Sequence, residues 1–92
     1  MDSGEQWKAW FRDWPEKMPR QGVVATMQGD QIPFSGFLAG ETMLLLQRKN
    51  PDSLGTRQVI LPYARIDSLK ITDVVDAKIF EKIGFTGSLP KR

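Results

Sequence analysis

A chain of 92 residues with 40% apolar content and nine aromatic side chains has the composition of one small folded domain, 1–92, and not that of a disordered segment. It contains neither Cys nor His, which excludes disulfides, thiol nucleophiles, imidazole bases and the usual zinc ligands, and no cofactor is implied. The net charge of +2 is too small to announce a phosphate-binding surface, and the chain is not expected to be an enzyme. No apolar run approaches the ~20 residues that span a bilayer, and the opening MDSGEQ lacks the order of a signal peptide. A soluble, cytoplasmic protein is expected.

The charge is unevenly spread. Residues 1–20 balance, residues 21–46 carry Asp30 and Glu41 alone, and the basic excess falls in residues 47–72, which hold Arg48, Lys49, Arg57, Arg65 and Lys70 against Asp52 and Asp67.

From the N-terminus, Ser3 and Gln6 have the spacing of a capping box, and Trp7, Trp10, Phe11 and Trp14 follow at i, i+3, i+4 and i+7. This pattern predicts a helix over 3–14, ended by Pro15. Its other face carries Glu5, Lys8, Arg12 and Asp13, mixed in sign where a membrane-surface helix would be basic. The Trp-rich stripe therefore covers the domain's own core or receives a protein partner.

Five strands are expected next, over 23–28, 31–38, 41–48, 57–61 and 66–72. Gly29-Asp30 and Ala39-Gly40 supply tight turns, and the loop 50–55 has Pro51 and Gly55 in turn positions. In the second strand, alternation puts Ile32, Phe34 and Leu38 on one face, and Gly36 marks a sharp bend. The Met43-Leu44-Leu45-Leu46 centre of the third strand reads as covered on both faces. Pro62 marks an edge or corner after the fourth. Asp73 is placed to cap a final helix, 73–84, with Val75, Ile79 and Ile83 as its stripe, Gly84 as its stop and Phe85 as the accompanying apolar contact, before a tail, 85–92.

A helix followed by five short strands resembles the Sm-like family, which includes the eukaryotic Sm and LSm proteins and bacterial Hfq. Gly29 looks like the family's turn glycine, and Gly36-Phe37-Leu38 looks like its mid-strand Gly-x-apolar signature; the likeness covers residues 23–71. It implies a mainly β fold: a small, five-stranded, strongly bent antiparallel SH3-like or Sm-like barrel over 22–72, with an N-terminal and a short C-terminal helix. The departures are local. Thr42 stands where an Asp is usual, Leu44 at the base-stacking position and Leu46 where many members carry Asn. The segment 61–66, LPYARI, is similar to both the apolar-Arg-Gly and the Tyr-Lys-His forms of the second motif and reproduces neither.

The resemblance further implies a homo-oligomeric ring of six or seven copies, closed by pairing the fourth strand of one with the fifth of the next. In the first functional reading that ring binds single-stranded RNA. Tyr63 stacks on a base, Arg65 contacts phosphate or a base edge, and Arg48, Lys49 and Arg57 attract the backbone. The second is a protein-interaction or scaffold module using the Trp-rich helix or an exposed strand edge. Hydrolysis by the carboxylates Asp73 and Asp76 is a third reading, but both suit helix capping.

Overall fold

The computed structural model describes residues 3–90. In chain order it contains helix α1 (Ser3–Arg12), strands β1 (Gly22–Thr26), β2 (Gln31–Phe34), β3 (Gly36–Ala39), β4 (Met43–Gln47) and β5 (Gln58–Pro62), a 3-10 turn (Tyr63–Arg65), strand β6 (Ile66–Lys70) and helix α2 (Ala77–Glu81). The strands form two antiparallel three-stranded sheets, ordered β2-β1-β6 and β3-β4-β5.

This corrects the expected five-stranded barrel: there are six strands, and the two sheets are not closed into a barrel. The expected second strand is cut at Ser35. Before the cut, residues 31–34 pair with β1, with Pro33 opposite Val23. At the cut, the Ser35 amide donates to the Gln47 carbonyl at 2.8 Å, and Gly36 follows in register with Gln47. The chain thus leaves one sheet and enters the other within a single residue. A second break follows Pro62, which has no amide proton for a ladder, and the 3-10 turn sends β6 to β1 instead of to β5.

The break at Ser35 also shifts the side-chain alternation by one. Ile32 and Phe34 point inward as expected, but beyond the break it is Phe37 that is buried, whereas Leu38 is 67% exposed. A one-residue slip exchanges the two faces of a strand. Here it puts Phe34 and Phe37 together, ring centroids 6.0 Å apart and nearly perpendicular, at the junction of the sheets. No close approach requires a glycine at position 36: a Cβ there would find its nearest neighbour, Gln47 Cβ, at 3.9 Å.

Helix α1 covers that junction. Ser3, expected as its cap, is its first residue, and the position before it lies outside the described residues. Phe11 meets Phe37 edge-on at 5.0 Å, and Trp14, just beyond the helix, reaches Phe37 at 4.9 Å. The Trp14 Nε1 donates to the Met18 carbonyl at 3.0 Å, which folds the Pro15 to Pro19 connection back and buries Met18. Arg20 then lies 3.7 Å from the Phe37 ring centroid and donates to the Phe37 carbonyl at 3.0 Å, holding the start of β1 against β3. Phe11, Trp14, Met18, Phe34 and Phe37 join Val24, Leu44, Leu46, Leu61, Tyr63 and Ile66 in one core between the sheets.

The C-terminal helix is shorter than the expected 73–84. Asp76, not Asp73, is its cap: the Asp76 Oδ1 accepts from the Lys78 amide at 2.9 Å. Asp73 instead accepts from Gln21 Nε2 at 2.7 Å. Gly84 has φ 106°, and Phe85 turns back so that its amide reaches the Phe80 carbonyl and its ring meets Phe80 edge-on.

Candidate functional site

The structure divides the residues expected to contact RNA, Tyr63, Arg65, Arg48, Lys49 and Arg57, into two groups. Arg48, Lys49 and Arg57 flank the loop of the β4–β5 hairpin, where the Arg48 amide donates to the Arg57 carbonyl at 2.9 Å. Asp52 closes the loop between them: its Oδ1 accepts from the Leu54 and Thr56 amides, each at 2.9 Å. These hydrogen bonds, that from Thr56 first, hold the Asp52 carboxyl below the usual carboxylate range, with a further contribution from the Arg48 charge. Arg48 also donates from Nε to the Asn50 carbonyl, so half of its fork serves the loop.

Tyr63 and Arg65 lie at the other end of β5, about 16 Å away for a five-residue strand. The two halves of the expected RNA site are therefore not brought together within one chain. Tyr63 is 4% exposed, and its hydroxyl donates to the Gly40 carbonyl at 2.8 Å. Its ring is packed into the core and offers no face to a base. Arg65 is exposed.

The structure displays apolar surface that alternation had placed elsewhere. The sheet β3-β4-β5 was expected to be covered on both faces at Met43 to Leu46, yet only Leu44 and Leu46 of these are buried. On its outer face Leu38 lies opposite Leu45, and Leu45 opposite Ile60. Leu38 and Ile60 are 67% and 62% exposed, so an apolar row crosses all three strands. Met43 and Pro62 extend it on one side, and the Gln47–Gln58 pair, bonded at 2.8 Å, bounds it on the other. Ile60 stands on β5, whose outer edge is paired with no other described strand; β6 ends the other sheet in the same way. A row of exposed branched side chains beside an unpaired edge is the usual mark of a contact surface.

A second apolar feature is a groove of about 580 Å³ between α1, β6 and the segment from α2 to Leu89. The Trp-rich stripe contributes to it only in part. Phe11 and Trp14 are spent in the core, whereas Trp7 and Trp10 are half-buried along the groove wall. Among the described residues no group of carboxylates could hold a metal ion, and no helix is long and apolar enough to cross a membrane.

Comparison with known proteins finds no matching family model, no curated protein of significant similarity and no solved structure of significant similarity.

Proposed function

We propose that the chain is a protein-interaction module that assembles with copies of itself through the open edges of its two sheets, β5 of one copy joining β6 of the next. The observation that carries this reading is the apolar row Leu38, Leu45, Ile60, which ends on the unpaired strand β5. β5 and β6 are both five residues long and each closes its sheet on one side, so they match in length as antiparallel partners. Pairing them would satisfy the outward backbone groups of both edges and cover Ile60. The likeness of residues 23–71 to Sm-like sequences points the same way, to a ring of six or seven copies.

Binding of single-stranded RNA is the second reading, favoured by the placement of Arg48, Lys49 and Arg57 around one hairpin loop. In that reading a ring repeats the tip around its circumference, and affinity comes from phosphate neutralisation without a Tyr63 stack.

Solution mass by light scattering tests the first reading. The expected result is an oligomer that Ile60→Lys converts to a folded monomer; a wild-type chain that stays monomeric at all accessible concentrations overturns it. Titration of oligo-U and oligo-A at two salt concentrations tests the second. Salt-dependent binding that weakens on Arg48→Ala and Arg57→Ala supports it, and no binding at low salt removes it.

A further inference from the structure

The groove beside α1 has a composition that selects for one kind of ligand. Four aromatic residues line it: Trp7 and Trp10 from α1, Phe80 from α2 and Phe85 beyond it. Two of the wall junctions are close to right angles, Trp10 to Phe85 at 84° and Phe85 to Phe80 at 89°, each with centroids 6.1 Å apart. Trp10 Nε1 is buried with no acceptor, so the groove meets the ring carbons of Trp10 and not its polar edge.

Among the described residues one charged side chain lines this groove, Glu81. It is exposed, and the ion pairs of Lys8 and Arg12 on the neighbouring helix go to Glu41 instead. Lys78 and Lys82, its neighbours on and just after α2, do not line the groove. Ring faces are electron-rich, and a carboxylate adds a formal negative charge at the rim. An anion is repelled by this arrangement, and a neutral apolar molecule gains nothing from Glu81. A compact ammonium ion is attracted but must shed a tightly held water shell to enter. A quaternary ammonium spreads the same charge over methyl groups that already suit an apolar wall. The cavity of about 580 Å³ exceeds what a trimethylammonium head occupies, and Leu69 and Ile71 add aliphatic lining to it.

We propose that this groove binds a free quaternary alkylammonium compound, its cationic head between the aromatic rings and Glu81 and its alkyl chain along Leu69 and Ile71. The groove shares β6 with the proposed assembly edge through Leu69, but its test reads ligand affinity and the assembly test reads solution mass, so failure of one is distinguishable from failure of the other.

The test uses the full chain with choline, its uncharged isostere 3,3-dimethylbutan-1-ol, and hexyltrimethylammonium, followed by calorimetry and by tryptophan fluorescence, to which the buried Trp14 adds a background. Hexyltrimethylammonium is expected to bind most tightly, and choline about tenfold more tightly than the isostere. Glu81→Gln, a change at an exposed position, is expected to weaken hexyltrimethylammonium several-fold and to leave the isostere unchanged, with the fold confirmed by circular dichroism. Equal affinity for the charged and uncharged probes overturns the proposal and leaves a plain apolar groove. Absence of binding at millimolar concentration overturns it as well, as does an affinity indifferent to Glu81→Gln.

Discussion

The Tyr63 hydroxyl donates a 2.8 Å hydrogen bond to the Gly40 carbonyl, tying the corner that follows β5 to the turn between β3 and β4. Both are places where the chain turns at the end of the sheet β3-β4-β5, so a residue expected to face a ligand instead fixes the shape of that end. Next to Gly40, Glu41 accepts from Lys8 Nζ at 3.2 Å and lies 3.6 Å from Arg12, which brings α1 to the same turn. The exposed Glu41 carboxyl is held below its ordinary range chiefly by the Lys8 hydrogen bond and charge.

Tyr63→Phe removes the hydroxyl and strands the Gly40 carbonyl, and is expected to cost about 1 kcal/mol. Tyr63→Ala also empties a core position and is expected to cost about 3 to 5 kcal/mol, read as a lower urea midpoint. Burial pushes the phenol above the ordinary tyrosine range, with Glu41 adding to the shift. A folded-state pKa raised above the unfolded value contributes stability that is complete below the unfolded pKa and lost as pH rises through the folded one. The loss therefore lies on the alkaline side of an ordinary tyrosine titration and is absent in Tyr63→Phe. Phenolate absorbance followed alongside unfolding checks both statements.

Two glycines should behave oppositely when given a methyl group. A Cβ on Gly22 would stand 2.6 Å from the Lys70 carbonyl oxygen, within the β1–β6 pairing, and 3.5 Å from the Phe34 ring. Gly22→Ala is therefore expected to destabilise by about 1 to 3 kcal/mol through forced separation of the two strands. At Gly36 the nearest atom is 3.9 Å away, so Gly36→Ala is expected to fall within about 0.5 kcal/mol of the parent, the added contact and the stiffer unfolded chain offsetting small adjustments. Equilibrium denaturation of the two variants, with unchanged slopes, separates the cases.

Much of the strand pattern could be read from turns and alternation, because Gly29, Pro62 and the alternating apolar residues act locally. The break at Ser35 could not, since nothing in residues 31–38 says that one strand serves two sheets; it is decided by whether Gln31 to Phe34 find β1 and Gly36 to Ala39 find β4. That single uncertainty misplaced Leu38, hid Phe37 from the expected core and turned two open sheets into an expected barrel. The site was less legible for a related reason. Tyr63 and Arg65 look equally available in sequence, and only the packing of the 3-10 turn buries one and exposes the other. Asp73 and Asp76 have the same residue type three positions apart, yet Asp76 caps the helix while Asp73 bonds Gln21, 52 residues away in the chain.

Helix α1 should behave as part of the core and not as an accessory. Phe11 is 1% exposed and contacts Phe37 edge-on, so Phe11→Ala is expected to cost about 3 to 5 kcal/mol, a large share of the stability of a domain this size. Trp7→Ala, at a half-buried position on the groove wall, is expected to cost markedly less. Thermal unfolding of both variants gives the ratio; equal losses would mean that the groove wall, and not the junction of the sheets, anchors the helix.

The hairpin tip carries a pH dependence of its own. Asp52 is the one acid among its four charged side chains, and its carboxylate holds the loop by accepting from Leu54 and Thr56. A carboxyl whose folded pKa is depressed contributes order that is complete above the unfolded pKa and lost as pH falls through the folded one. The Leu54 and Thr56 amide resonances are therefore expected to move together, with a midpoint below the ordinary aspartate range. Asp52→Asn keeps an acceptor oxygen but cannot titrate, so the loop should remain closed and the shared transition should vanish. Asp52→Ala should open the loop at every pH. Because protonating Asp52 also removes the tip's negative charge, any affinity of Arg48, Lys49 and Arg57 for phosphate is expected to rise through the same transition if charge dominates. It is expected to fall if the closed loop is what aligns the three cations, and oligo-U titrations on either side of the midpoint in the parent and in Asp52→Asn distinguish the two.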